Sequence, residues 1–292
     1  MRRFVIVDTM YLCHRARHST GGLSFDGQST GVLYGVLRDI DDLQRRLKPD
    51  AFIFTFDSKH SFRKRLSETY KSNREPRPDD DAFRAEVSRL ATEILPALNF
   101  TNVYQAHGYE ADDIIASFAF SVKEGDQALI CSRDEDLYQL LRPNVGMYKV
   151  STSKVPAHIY TDKRFEEEYG IPPSLWAHVK ALAGCSSDVV EGVPGIGEKY
   201  AIRWILKDLD KGKKFEALRD HAGEALDRNL PLVQLPFKHE SPLPSFDNAN
   251  IAEHGNNRPM WLTVNDLLGI RRDPRVSEER KEEARAKRNS FV

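Results

Sequence analysis

Eight acidic residues follow apolar runs in a way that would bring them together: Asp8, Asp57, Glu110, Asp112, Asp113, Asp134, Asp136 and Asp188. Two carboxylates ~4 Å apart repel by ~1 kcal/mol at the dielectric of bulk water, and by more in a crevice. A cluster this dense needs a cation. Oxygen-only donors favour Mg²⁺ or Mn²⁺ over zinc, since no His or Cys joins the set. The D-x-[DN]-x-[DN]-G pattern of a calcium-binding EF-hand is absent. Mg²⁺ serves phosphoryl chemistry, and two such ions can activate a water and stabilise the leaving oxygen of a phosphodiester.

Each acid alone has a plainer reading. An Asp after a strand commonly forms a turn or caps a helix, and acids in a first helical turn favour the macrodipole. Capping does not explain why Glu110, Asp112 and Asp113 all precede a helix marked as buried by Ile114, Ile115 and Phe118. Ser132-Arg-Asp134-Glu-Asp136 repeats the theme with acids two apart, a spacing that lets both reach one ion.

The elements that must position these acids are four short apolar runs: residues 4–7, 51–56, 102–106 and 127–131. Side by side in one parallel sheet, their C-terminal ends share one edge, where open α/β sheets place their ligands. Strand-like and helix-like segments alternate through residues 1–170, the mark of an α/β layered domain. Within it lies a basic insertion, residues 62–77, in which six basic residues against two acidic ones give a net +4. A helix is predicted from Ala82 to Leu98, with apolar Phe83, Val87, Leu90, Ile94 and Leu98 three and four apart.

Beyond Ile171-Pro-Pro the pattern turns helical, with helices expected from Ser174 to Leu182 and from Lys199 to Leu209. Residues 230–258 read as an extended surface stretch, and residues 277–287 as a solvated helix or a mobile tail. The domains expected are therefore 1–172, α/β, and 173–292, mainly helical. Hydrophobic content of 40% with 30% charged residues excludes disorder as the main state. The net charge of −1 says little, because the signs are unevenly distributed. Cys13, Cys131 and Cys185 are an odd set without CxxC spacing, which points to reduced thiols. The N-terminus lacks the pattern of a signal peptide, and no apolar stretch approaches the ~20 residues of a membrane span; a cytoplasmic location is expected.

Two further segments carry chemistry. Tyr70, Lys71 and Arg74 lie at helical spacing in the basic insertion. The bland reading is a solvated helix face. The sharper one has two cations facing a polyanion at the metals, with Tyr70 stacking on a base. Losing one such donor usually costs on the order of 3 kcal/mol in the barrier. Gly192-Val193-Pro-Gly195-Ile196-Gly197-Glu-Lys199 offers closely spaced N–H groups opening onto a helix. Glu198 stands where a P-loop needs Lys, and a Rossmann fingerprint would need glycine at 200. A phosphate grip that positions a strand without reading its sequence remains.

These motifs, in this order, resemble the 5′ nuclease superfamily of flap endonucleases and polymerase I 5′-3′ exonucleases, phage or bacterial type. They are Val-Asp8, Phe-Asp57 leading to Phe-Arg63-Lys64, Tyr70-Lys-x-x-Arg74, Gly-x-Glu110-Ala-Asp-Asp113, Ser-x-Asp134-x-Asp136-x-x-Gln-Leu, and Gly184-x-Ser-Ser-Asp188 before the glycine turn. The likeness runs from Phe4 to about Pro236. It implies a PIN-like parallel-sheet nuclease domain with a helical arch over residues 62–98, then a mainly helical helix–three-turn–helix DNA-binding domain.

The resemblance assigns one metal to Asp8, Asp57, Glu110 and Asp112, and the second to Asp112, Asp134, Asp136 and Asp188, with Asp113 as outer partner. Arg63, Lys64, Gly192, Val193, Gly195, Ile196, Gly197 and Lys199 would hold DNA. The implied cofactors are two Mg²⁺, replaceable by Mn²⁺, with K⁺ at the helix–three-turn–helix. The implied activity is structure-specific 5′-3′ exonuclease and flap endonuclease cleavage in replication or repair, leaving 5′-phosphate and 3′-hydroxyl. Partners would be DNA with 5′ flaps, nicks or ends and RNA–DNA hybrids, bound by a monomer whose C-terminal segment contacts a replication protein.

One position departs from the bacterial pattern: Gly184-Cys185-Ser-Ser-Asp188-Val189 replaces Gly-Asp-x-x-Asp-Asn, so a thiol stands for a carboxylate near the second metal. Weaker second-metal affinity or a stronger preference for Mn²⁺ is expected. The competing readings are a PIN-like ribonuclease, which would lack the glycine turn and the Tyr70–Arg74 insertion, and a catalytically idle DNA binder, which would lack carboxylates.

Overall fold

The four apolar runs do form neighbouring strands. In a computed structural model describing residues 1–251 and Leu268, the sheet contains β1 (Arg3–Asp8), β2 (Ala51–Phe56), β3 (Val103–Gln105), β4 (Gln127–Cys131), β5 (Val145–Lys149) and β6 (His158–Tyr160). Their order is β3-β2-β1-β4-β5-β6. All pairings are parallel except the last, in which β6 runs antiparallel to β5. The chain steps outward from β1 to β2 and β3, then returns to β1's other side with β4. That reversal opens a crevice at the C-terminal ends of β1 and β4, the position where such sheets bind ligands.

Side-chain alternation divides the sheet into two packed faces. Val5, Val7, Phe52 and Phe54 pack with α1 (Thr9–Thr20) and α2 (Gly31–Leu47) through Leu12, Leu33, Val36 and Ile40. Phe4, Ile6, Ile53 and Ile130 face the other way, where residues 111–120 bring Ile114, Ile115 and Phe118. The helix predicted from Ala82 to Leu98 begins as α3 (Asp80–Arg89), widens into a π-helical turn at Leu90–Ile94 and ends with Leu95–Ala97. Its apolar positions Phe83, Leu90, Ile94 and Leu98 join the first face.

The second face continues through α4 (Ala111–Phe120), α5 (Asp162–Tyr169), α6 (Trp176–Ala183), α7 (Glu198–Ile205) and α8 (Lys213–Val233). Trp176, Val179, Leu218 and Ala222 belong to the same buried cluster as Ile114 and Phe118, so packing is continuous across residue 172. Residues 234–251 run without helix or strand and are largely exposed or half-buried, as expected of a surface stretch, but the stretch starts later than expected and is pinned by buried side chains. The helix runs on to Val233, and Leu235, Phe237 and Phe246 are buried, Phe246 with its ring centroid 4.4 Å from that of Phe4. Aromatic side chains along a Pro-rich segment outweigh its loop composition, because each buries a large apolar area. Residues 252–258 and the charged segment 277–287 lie outside the described residues. Among the described residues no helix is long and apolar enough to cross a membrane.

Candidate metal centre and nucleic-acid interface

Asp8 ends β1, and its carboxylate caps α1 by accepting from the Tyr11 N–H at 2.9 Å. Ser132, at the end of the adjacent β4, donates its hydroxyl to Asp8 Oδ2 at 2.7 Å and accepts from the Asp134 N–H at 3.1 Å. One buried hydroxyl thus ties two acid-bearing strand ends together. Burial pushes the Asp8 carboxyl up to about 7; the Tyr11 and Ser132 hydrogen bonds oppose this, and the charges of Asp57 and Asp134 add to it. Asp112, in the first turn of α4, is pushed up by burial and then by Asp134, Asp8 and Asp57. Asp134 is open to solvent, yet the walls around it desolvate it and Asp136 repels it, raising it to about 6. Asp57 accepts from the Ala111 N–H at 2.8 Å, which fixes the end of β2 against the start of α4.

Glu110 behaves differently. Burial would raise its carboxyl, but Lys71 and then Arg63 outweigh it and hold the group below its usual range. Lys71 Nζ donates to Glu110 Oε2 at 2.7 Å, and the Tyr70 hydroxyl donates to the same oxygen at 3.1 Å. Across the crevice, Asp188 lies 3.3 Å from the Tyr70 hydroxyl, 3.9 Å from Lys71 Nζ and 3.7 Å from Arg74 Nη2. Lys180 Nζ on α6 lies 3.1 Å from Asp136 Oδ1 and 3.3 Å from Glu198 Oε1. Among the described residues, the set whose donor atoms all lie within 4.8 Å of one another is Asp136, Cys185 and Asp188.

The insertion corrects three expectations. Tyr70, Lys71 and Arg74 do not share a helix face: after a single helical turn, Arg63–Leu66, the chain runs through turns, and Lys71 has φ +54°. Its backbone is held there by the Lys71 N–H donating to the Asp188 carbonyl at 2.9 Å. Tyr70 is buried with its hydroxyl engaged by two acids, so it positions them and stacks on no base. Arg63 is 2% exposed and cannot grip DNA; Nη1 and Nη2 donate to the two oxygens of Asp113, each at 2.7 Å. Asp113 is 0% exposed and also accepts from the Glu110 and Phe237 N–H groups, so it orients Glu110 and has no lone pairs directed at an ion. Lys64, Arg74 and the run 72–79 remain exposed.

In the glycine turn, Val193 and Ile196 are buried anchors, not contacts for a phosphate. The Val193 N–H donates to the Leu182 carbonyl at 2.8 Å and the Ile196 N–H to the Val193 carbonyl at 3.0 Å. They leave Gly195, at φ +72°, exposed together with Gly197, the N-cap of α7, and Lys199 in its first turn. Asn229 of α8 steadies the approach, donating to the carbonyls of Ala181 and Glu191, each at 2.8 Å.

Residues 3–170 match the model of the "5'-3' exonuclease, N-terminal resolvase-like domain". The chain belongs to this 5′-3′ exonuclease family. Thermostable DNA polymerase I of Thermus filiformis is 32% identical over 255 residues, 83% of this chain and 29% of that one. The Thermus aquaticus enzyme is 35% identical over 225 residues, 72% of this chain and 26% of its own length. The chain thus spans less than a third of the curated relatives it matches. The T5 D15 protein co-crystallised with metal ions shares the fold, with a TM-score of 0.67 and 24% identity over 80% of this chain and 90% of that one. The T5 5′-exonuclease with bound divalent zinc ions superposes with a TM-score of 0.65 and 24% identity, covering 80% and 90%.

For a 5′-3′ exonuclease family chain, the donor set at the end of β1 and β4 fits a hard divalent cation. Burial first, and neighbouring carboxylates after it, push Asp8, Asp112 and Asp134 up; a bound cation would relieve both, and oxygen donors are what Mg²⁺ and Mn²⁺ take. The expectation of an oxygen-only set fails at the other corner, where Cys185 joins Asp136 and Asp188. Sequence reasoning also passed over Ser132 and Lys180. Ser132 heads the Ser-Arg-Asp134 run and had a signal in that spacing; Lys180 sits in an apolar helix and had none.

Proposed function

We propose that this chain is a divalent-metal-dependent 5′ nuclease, hydrolysing phosphodiesters near the 5′ ends of branched, nicked or RNA-primed DNA in replication or repair. The observation that carries this reading is the meeting of acids and bases. Carboxylates from three strand ends and α4 crowd one sheet edge, and Lys71 and Arg74 reach the same edge from the exposed insertion. Such an edge repels a polyanion unless cations bridge the two. Two bound Mg²⁺ or Mn²⁺ would activate a water and stabilise the leaving oxygen, giving 5′-phosphate and 3′-hydroxyl.

The protein's own groups have distinct tasks in this reading. Asp8, Asp57, Glu110 and Asp112 would hold one ion, and Asp112, Asp134, Asp136 and Asp188 the other. Lys71, kept charged between Glu110 and Asp188, aims a cation at the scissile phosphate, and Arg74 neutralises the strand beside it. Tyr70 and Asp113 hold the acids in place. We assign residues 1–172 to the nuclease unit, with residues 62–98 as its arch. Residues 173–292 form the duplex-binding unit, with Gly195, Gly197 and Lys199 as a helix–three-turn–helix phosphate grip that would also take K⁺. The segment running into the C-terminus is assigned to a replication-protein contact.

The test is product sizing on 5′-labelled and 3′-labelled flap, nicked and RNA–DNA substrates, in Mg²⁺ and then in Mn²⁺. Glu110→Gln and Asp134→Asn should abolish cleavage and leave DNA binding largely intact. Either variant cutting flaps at the wild-type rate would overturn the site assignment.

A further inference from the structure

The corner formed by Asp136, Cys185 and Asp188 differs in chemistry from the rest of the acidic edge. We propose that it is a mixed thiolate–carboxylate site that selects a thiophilic divalent cation, such as Zn²⁺, Cd²⁺ or Co²⁺, over Mg²⁺. This rests on the metal-dependent reading above and specifies which cation its second site prefers.

Three separate elements deliver the donors: the turn after β4 carries Asp136, the short strand Gly184–Cys185 carries the thiol, and the turn at Ser186–Asp188 carries the carboxylate. The thiol's position is fixed by its backbone. Gly184–Cys185 pairs antiparallel with Val190–Glu191, and Gly184 holds φ +82°. A Cβ at Gly184 would meet the Gly192 nitrogen at 2.5 Å and the Val190 carbonyl oxygen at 2.6 Å. The strand is therefore packed too closely to carry Cys185 away from its neighbours. Cys185 is 8% exposed, with Sγ 3.0 Å from the Ser187 hydroxyl.

The spacing suits an ion. Metal–sulfur bonds of about 2.3 Å and metal–oxygen bonds of about 2.1 Å place tetrahedral donors roughly 3.5 Å apart. Donor atoms already within 4.8 Å need only side-chain rotations to close on one cation. Lys180, 3.1 Å from Asp136, offsets part of the repulsion of gathering three anions. Mg²⁺ demands oxygen ligands and near-ideal octahedral geometry, whereas thiolate selects softer and borderline ions. As the ion binds, a sulfur–metal bond replaces the S–H bond and the proton leaves to solvent.

The other two cysteines, Cys13 and Cys131, are 0% exposed between the sheet and α1, so one thiol reports on the site. The test titrates the full chain with Cd²⁺ and with Co²⁺ and follows the near-ultraviolet sulfur-to-metal charge-transfer absorption, with and without a large excess of Mg²⁺. The expected result is one band per chain that survives Mg²⁺ and is lost in Cys185→Ser and in Cys185→Asp, both checked for an unchanged melting temperature. Cys185→Ser should weaken Cd²⁺ binding on the order of 10- to 100-fold while Mg²⁺ binding hardly moves. Absence of the band in wild type, its quenching by Mg²⁺, or its persistence in Cys185→Ser overturns the proposal. Flap cleavage in Mg²⁺ is scored separately. Cleavage without the band sinks this assignment alone, whereas the band in a protein that cuts nothing upholds it and sinks the nuclease reading.

Discussion

Arg63 and Asp113 form a bidentate ion pair, both bonds 2.7 Å, with neither side chain reaching solvent. The pair joins three segments distant in sequence: Arg63 Nε also donates to the Leu232 carbonyl at 2.8 Å, and Asp113 also accepts from the Phe237 N–H at 2.7 Å. The base of the insertion, the acid-bearing helix and the end of α8 therefore share one buried node. Breaking such a pair from one side leaves an uncompensated buried charge and costs about 3–5 kcal/mol. Arg63→Ala and Asp113→Ala should each lower stability to urea by that amount, and a double-mutant cycle should show that the two losses do not add. A stable Arg63→Ala protein with weakened DNA binding would return Arg63 to the DNA contacts.

Lys71 should act on rate and on pH together. Replacing Lys71 with Ala removes the cation proposed to face the scissile phosphate, for an expected loss on the order of 10²-fold in single-turnover cleavage. The same change removes the cation that holds Glu110 below the usual carboxylate range. The Glu110 carboxyl then rises, so the acidic limb of the remaining activity moves to higher pH. A pH–rate profile of the variant checks this, and a limb displaced downward would contradict the pairing.

Asp8 and Asp134 make stability in chelator depend on pH with an unusual sign. Their folded pKa values, about 7 and about 6, lie above the ordinary carboxylate value, and Asp112 shifts the same way. The folded chain then binds more protons than the unfolded one from about pH 4 to 7. Stability from these groups is complete below the lower limit and is lost as pH rises through the upper one. Melting temperature in EDTA should fall from pH 6 to pH 8, with a shallower slope in Asp8→Asn. Added Mn²⁺ should raise it most at pH 8, where it displaces the fewest protons.

The sheet and its acids were legible because both signals are local. Val5 and Val7 alternate with Phe4 and Ile6, and Asp8 follows directly. What escaped was tertiary. Arg63 sits in a basic run, and only a partner fifty positions on, Asp113, makes it a buried structural cation. Tyr70, Lys71 and Arg74 have helical spacing, but a backbone bond to Asp188 holds Lys71 in a left-handed turn that the spacing cannot report. Cys185 was placed near the second metal only as a lost carboxylate; that its thiol itself joins Asp136 and Asp188 depends on a short antiparallel ladder distant in sequence from Asp136.

Glu86 fixes α3 to the body. It is 4% exposed, and its carboxylate accepts from the Val32 and Leu33 N–H groups at the start of α2, at 2.8 and 3.0 Å, and from the Ser29 hydroxyl at 2.6 Å. A carboxylate against two unpaired helix N–H groups also meets the positive end of the α2 dipole. Arg17 on α1 adds a second tie by pairing with Asp79 and Asp80 at the start of α3. Glu86→Ala leaves the buried N–H groups without their acceptor, a loss of about 1–3 kcal/mol, and loosens α3 and the exposed run 72–79 that precedes it. Proteolysis within 72–79 should therefore accelerate in Glu86→Ala and be restored by bound flap DNA. Glu86→Gln, which keeps an acceptor oxygen but not the charge, should fall between. Equal protease resistance of all three proteins would show that α3 is held by its apolar face alone.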